Sequence, residues 1–319
     1  MFCTDIMLNF VQYPDFIKYG VSTIDRMEKF GYYYANDSSY VIRMMQRRRT
    51  MTANAIRIRW FNDACYEIHL PNGKGILVDP YIDESKFRTL SYDDVEKADY
   101  ILVSHTHFDH VMGLARVSRR FDSAIFAGSG AGMELAECYD VPGYRMHLCS
   151  PGDVIENDDF TLRCFRGRHT KLGDFDRPSR WPENIRRDGL DPKTERLNML
   201  GSYEYMIYLL ELPDHTRLLV WGGGATEEAI RQARDFHPTV TIAQLPRETT
   251  DQIARLYAAI GGQLIFPHHH DFFIEQGADG MKVIRETVEK TRAMAPQTRV
   301  ICPEKGRWYT IQTSVTLEE

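Results

Sequence analysis

No run of apolar residues in this 319-residue chain approaches the roughly 20 that a bilayer-spanning helix requires. The first residues, MFCTDIMLNF, offer neither a basic start nor a long apolar segment, so no secretory leader is expected there and the chain reads as cytoplasmic. Cysteine is sparse: the six residues Cys3, Cys65, Cys138, Cys149, Cys164 and Cys302 never stand in C-x-x-C spacing, which excludes a zinc knuckle and argues for reduced, mostly buried thiols over a disulfide frame. Positive charge is not in excess. With 39 Lys and Arg against 45 Asp and Glu, a net charge of −6 and a pI near 6.0, the chain lacks the basic balance of a general nucleic-acid binder. The glycine-rich Gly128-Ser-Gly-Ala-Gly132 lacks the lysine and hydroxyl residue that complete a phosphate loop.

What is present points to a globular protein with a substantial core: 43% of residues are hydrophobic and 26% charged, in a chain large for one domain and small for two. The most informative stretch is Ile101-Leu-Val-Ser-His105-Thr-His107-Phe-Asp109-His110. Its apolar start reads as the end of a buried strand, and a loop beyond it crowds three imidazoles and a carboxylate together. Residues two apart in an extended segment point the same way, so His105 and His107 can reach one ion, leaving Asp109 and His110 to turn toward a second. A lone histidine there would be an ordinary solvated loop residue. H-x-H-x-D-H behind a hydrophobic strand has few uses besides metal.

His105-Thr-His107-Phe-Asp109-His110 resembles the signature of the metallo-β-lactamase superfamily. That resemblance implies an α/β four-layer αββα sandwich with the metal site at the edge of two facing sheets. The surrounding pattern agrees with such a fold. Strand alternation runs through Ile56–Phe61, Cys65–Leu70 and Gly75–Pro80, followed by a short helix over 91–98, a helix over 111–121, a strand over 123–127 and a helix over 129–138. A hairpin at 151–165 leads to His169, strands follow at 203–211 and 217–221, and then helices (226–235, 250–260, 279–293) alternate with strands (240–243, 263–266, 298–302).

Within the resemblance, His169 at a strand end joins His105 and His107 around the first ion, and Asp79 in Leu77-Val-Asp-Pro80 supports the metal loop from behind the ligands; as residues alone, Asp79 is equally a strand-end turn. Pro267-His268-His269-His270-Asp271 is similar to a segment of the L-ascorbate-6-phosphate lactonase branch, which makes His269 a ligand of the second ion with Asp109 and His110. His270 then contacts substrate and Asp271 supports the ligands. At Trp221-Gly222-Gly223-Gly224 the sequence departs from the family, which carries a metal-bridging aspartate where Gly223 falls; Glu227 and Asp271 are the nearest carboxylates that could replace it. The stretch 170–201 is rich in arginine, and Arg177, Arg180, Arg186 and Arg187 suit capture of an anionic substrate by a lid, though any one of them is nearly as well read as surface charge.

Residues 1–50 form a separate aromatic-rich extension with ten Phe and Tyr, ahead of the catalytic domain at 51–319. So much aromatic surface is expected to pack on that domain or on a second subunit, making a homo-oligomer. The resulting expectation is a hydrolase that uses one or two divalent ions (Zn, Mn or Fe), with Asp109 as the catalytic carboxylate, acting on a small anionic ester or lactone without nucleic-acid or membrane partners. A phosphorylated sugar lactone ranks ahead of a cyclic phosphodiester. The missing bridge leaves two other readings open: a degenerate metabolite-binding protein and an iron-dependent oxygenase.

Overall fold

The computed structural model describes residues 55–167, 191–223, 226–245 and 249–312. The expectations for residues 1–50, for His169 and for Arg177, Arg180, Arg186 and Arg187 lie outside these residues.

Among the described residues two seven-stranded sheets face each other. The first holds β1 (Ala55–Asn62), β2 (Cys65–His69), β3 (Gly75–Val78), β4 (Tyr100–Leu102), β5 (Ala124–Gly128) and β6 (Met146–Cys149), with β14 (Trp308–Gln312) pairing β1 at its edge in the order β14-β1-β2-β3-β4-β5-β6. The second holds β7 (Val154–Glu156), β8 (Thr161–Arg166), β9 (Met206–Glu211), β10 (Arg217–Trp221), β11 (Val240–Gln244), β12 (Leu264–His268) and β13 (Arg299–Val300), in the order β13-β12-β11-β10-β9-β8-β7. Each sheet begins as an antiparallel meander and continues as parallel strands: β3 to β6 in one, β10 to β13 in the other. Parallel strands end on the same side of a sheet, so the loops after β3, β4, β10 and β12 can be gathered at one edge.

Period-2 alternation divides each strand between two cores. Ile56, Ile58 and Trp60 of β1 meet Leu162, Tyr208 and Val220 of the opposite sheet in the inner core. The other faces carry helices. On the first sheet lie α1 (Phe108–Val111), α2 (Leu114–Phe121), α3 (Gly132–Cys138) and Leu197 of α4 (Pro192–Gly201). On the second lie α5 (Glu227–Phe236), α6 (Thr250–Ile260), α7 (Asp271–Glu275) and α8 (Ala278–Met294). The layers therefore run helix, sheet, sheet, helix, the four-layer sandwich expected. Among the described residues no helix is long and apolar enough to cross a membrane.

Several elements differ from the sequence expectation. Residues 91–98 make only a 3-10 turn at Tyr92–Asp94, capped by Ser91, because the backbone N–H groups of Glu96 and Lys97 turn inward to the buried Glu67 carboxylate at 3.1 and 2.8 Å. The helix expected at 111–121 starts earlier and breaks at Gly113, whose N–H donates to the Pro80 carbonyl at 2.8 Å and which packs so closely on Tyr92 that a β-carbon would fall 2.2 Å from the ring. The stretch 170–201 is not all lid: from 191 it is helix, with the Asp191 carboxylate capping the N–H groups of Lys193 and Thr194 and Pro192 in the first turn. Strands β6 and β14 and helix α7 were not anticipated.

Candidate metal centre

The strand β4 ends at Leu102, and the next residues cross toward the second sheet, where the Met206 N–H donates to the Ser104 carbonyl at 2.8 Å. His105 and His107 remain extended, with ring centroids 4.5 Å apart. The chain then enters α1, so Asp109 and His110 sit on a helical first turn and not on the loop expected. That turn rotates His110 back over His105, bringing the ring centroids to 3.9 Å.

Asp79 holds this arrangement from below. One carboxylate oxygen accepts from the Ser104 N–H at 2.7 Å; the other accepts from the Ser104 hydroxyl at 2.7 Å and from His110 Nδ1 at 2.9 Å. Asp79 is buried and adopts φ 45°, a left-handed conformation that aspartate tolerates better than most residues. With Nδ1 engaged as a donor to Asp79, His110 turns Nε2 toward Asp109 and His269.

A second support comes from residues 197–205, of which 197–201 fall in the stretch expected to form a lid. The Thr106 hydroxyl donates to the Leu197 carbonyl at 2.7 Å, and the Phe108 N–H donates to Asn198 Oδ1 at 2.7 Å. Gly201 lies against the loop backbone, where a β-carbon would stand 2.8 Å from His107 N. Ser202 Oγ pairs with His107 Nε2 at 2.8 Å, leaving Nδ1 as the nitrogen that can face an ion. Tyr205 lies 4.8 Å from His105, centroid to centroid.

The opposite wall is the end of β12. His269, at φ 55°, swings back so that its Nε2 stands 3.3 Å from His110 Nε2. Asp109, His110 and His269 each place a donor atom within 4.8 Å of the others. Burial alone would raise the Asp109 carboxyl, but His110, His269 and His107 together outweigh it and hold it below the usual carboxylate range. The neighbours of His269 turn away from the group. His268 bonds the Trp221 carbonyl at 3.1 Å through Nε2, and burial pushes its pKa well down. His270 is fully buried and stacked on Trp60 at 3.9 Å, with burial lowering its pKa to about 3, so the substrate contact expected of it is not available. Asp271 is also buried; it pairs with Lys305 at 2.6 Å and accepts from the Asp63 N–H at 2.8 Å, in keeping with a supporting place.

Neither carboxylate considered as a substitute bridge joins the ion-sized group: Glu227 is exposed at the start of α5, and Asp271 is committed to Lys305. Gly222 is instead packed against Tyr205. A β-carbon on Gly222 would lie 1.5 Å from the Tyr205 hydroxyl oxygen, and one on Gly167 would lie 2.4 Å from its ring. Gly223 supplies its carbonyl to Trp221 Nε1 at 3.1 Å.

The donor set fits a transition-metal ion. Two imidazole nitrogens bound tetrahedrally at roughly 2.0–2.1 Å stand roughly 3.3–3.4 Å apart, and the His110 and His269 Nε2 atoms are separated by 3.3 Å. A carboxylate with two imidazoles suits zinc, manganese or iron. His105 and His107 are the residues expected to hold another ion with His169, which lies outside the described residues. The residues sequence reasoning missed are Ser104, Ser202, Tyr205 and Asp63, which carry no metal-binding signature because they act on ligands through the fold.

Residues 58–189 match the metallo-β-lactamase superfamily model. A UPF0173 metal-dependent hydrolase of Thermoplasma volcanium is 24% identical over 119 residues, 37% of this chain and 50% of that protein, and a UPF0173 protein of Pyrococcus furiosus is 26% identical over 183 residues, 57% of this chain and 77% of that one. The chain spans about half the length of the first of these relatives. Among solved structures, the metallo hydrolase Igni18 of Ignicoccus hospitalis superposes with a TM-score of 0.61 at 14% identity, covering 82% of this chain and all of that one. The diiron β-hydroxylase CmlA of Streptomyces venezuelae superposes at 0.51 with 11% identity, over 91% of this chain and 59% of its own. At these identities the likeness is one of fold.

Proposed function

We propose that this chain, whose residues 58–189 match the metallo-β-lactamase superfamily model, is a metal-dependent hydrolase acting on a small anionic ester or lactone. The observation that carries the proposal is the Asp109, His110 and His269 group, with its two facing Nε2 atoms at 3.3 Å. A divalent ion held there supplies Lewis-acid polarisation and lowers the pKa of bound water from about 16 toward 7. The protein's own contribution is alignment and charge. Asp79 fixes the His110 tautomer, Ser202 fixes His107, and Asp109, ionised and with 26% of its side-chain surface open, can orient the attacking water and accept its proton. The arginines at 177, 180, 186 and 187 support an anionic substrate, with a phosphorylated sugar lactone ahead of a cyclic phosphodiester.

Gly223, standing where the family carries a metal-bridging aspartate, favours a second reading, a protein of the same fold that binds a metabolite or uses iron oxidatively. One variant separates these. Asp109→Asn keeps size and one carbonyl oxygen but cannot take a proton. For a hydrolase kcat should fall roughly 100- to 10,000-fold, whereas a binding protein should retain ligand affinity and lose only metal. Elemental analysis of protein purified without added metal accompanies the assay. Unchanged turnover at full metal occupancy would remove Asp109 from the mechanism.

A further inference from the structure

We propose that Asp63 is the positioning carboxylate of His269, and that Ser85, Asp271 and Lys305 hold it in that role; the proposal rests on the reading of His269 as a metal ligand. Asp63 lies on the turn between β1 and β2, at φ 43° and 8% exposed, more than 200 residues from the histidine it serves. The two are joined through the backbone, with the His269 N–H donating to the Asp63 carbonyl at 2.8 Å. The same contact places Asp63 Oδ1 3.8 Å from His269 Nδ1, the nitrogen on the far side of the ring from His110. The other oxygen, Oδ2, is fixed by the Ser85 hydroxyl at 2.5 Å.

The turn is anchored from behind. The Asp63 N–H donates to Asp271 Oδ2 at 2.8 Å, and Lys305 Nζ clamps Asp271 Oδ1 at 2.6 Å while also donating to the Phe87 carbonyl at 2.5 Å. Asp271 and Lys305 come from different elements, the start of α7 and the segment leading into β14, so three separate parts of the chain converge on one side of one imidazole. An uncompensated buried carboxylate is costly, which explains the partly buried lysine beside Asp271. On the other wall Asp79 stands in the same relation to His110, touching Nδ1 at 2.9 Å and leaving Nε2 to the ion. Each of the two histidines of the ion group thus has its own carboxylate. The Asp63 pair is the looser one, and a cation on Nε2, by drawing electron density from the ring and making Nδ1–H a stronger donor, favours closing it.

The test is competition with a chromophoric chelator, using zinc as the probe, on the full chain as wild type, Asp63→Asn, Lys305→Met and His269→Gln. His269→Gln identifies which bound ion depends on that histidine. Asp63→Asn should weaken that ion by 10- to 100-fold and leave the other unchanged, and in the His269→Gln background it should have no further effect. Lys305→Met should act in the same direction and more weakly. A second readout avoids metal altogether: imidazole nitrogen NMR of the metal-free protein should find His269 in its Nδ1–H tautomer in the wild type and redistributed in Asp63→Asn. Equal weakening of both ions, or an unshifted tautomer with unchanged affinity, overturns the proposal and leaves Asp63 a structural turn residue. If His269→Gln changes no ion's affinity, the ligand reading itself has failed, and the proposal falls for that separate reason.

Discussion

Asp79→Ala should destabilise the metal-free protein more than most single substitutions. The carboxylate is buried and accepts hydrogen bonds from the Ser104 N–H, the Ser104 hydroxyl and His110 Nδ1, at 2.7, 2.7 and 2.9 Å. Alanine leaves all three donors without this acceptor, and each buried orphan costs about 1–3 kcal/mol. It also places an ordinary residue at φ 45°, where a left-handed conformation costs about 1–2 kcal/mol. These contributions share partners and do not add fully, so the loss should resemble that of a broken buried pair, about 3–5 kcal/mol, a large part of the roughly 5–15 kcal/mol that holds a typical domain folded. Asp79→Asn retains an acceptor for the Ser104 N–H and tolerates the backbone; its loss should stay near about 1–3 kcal/mol. Equilibrium urea unfolding in the presence of a chelator measures both. The reasoning is refuted if the two variants lose the same stability, or if alanine costs less than about 1 kcal/mol, because the Asp79 hydrogen bonds would then not be what orders the loop.

Gly222→Ala should cost about 1–3 kcal/mol by overpacking, read as a lowered Tm, because its β-carbon would fall 1.5 Å from the Tyr205 hydroxyl oxygen; adding Tyr205→Phe should recover part of that loss. Ser202→Ala frees His107 Nε2 and should weaken the ion at His105 and His107 by 10- to 100-fold in a chelator competition, with the ion at His269 unaffected. Removing metal should lower Tm, since an ion present at 100 times its Kd stabilises the folded state by about 2.7 kcal/mol; an identical Tm with and without chelator would mean that the site holds no ion in the folded protein.

The sandwich was legible because its central strands, such as β2, β3 and β9, are buried on both faces and bounded by turn residues. Tyr203–Glu211 reads as a strand from its apolar content alone, although only the structure divides it, Met206, Tyr208 and Leu210 inward and Tyr205, Ile207 and Leu209 toward the helices. The ion group was legible for a different reason: His105, His107, Asp109 and His110 lie within six residues, and His269 ends a strand with imidazoles on either side. What could not be read is long-range. Asp63 and His269 meet across more than 200 residues, and a serine such as Ser202 has no sequence feature that points to His107. His270 was misassigned because adjacent histidines look equivalent until β12 fixes which ring faces the ions and which enters the core against Trp60. The Asp191-Pro192 helix start, by contrast, was visible and was overlooked within an arginine-rich stretch that drew attention to charge.

The packing of Tyr205 against Gly222 constrains how this site could change over generations. A side chain at 222 costs stability while the phenol stands there, and removing the phenol alone leaves a hole beside two glycines and the His105 ring. Any route to a side chain at 222 therefore passes through a less stable intermediate unless both positions change together. A survey of single substitutions would score each site as intolerant and never sample the paired state, and a library that varies both at once is the smallest that can.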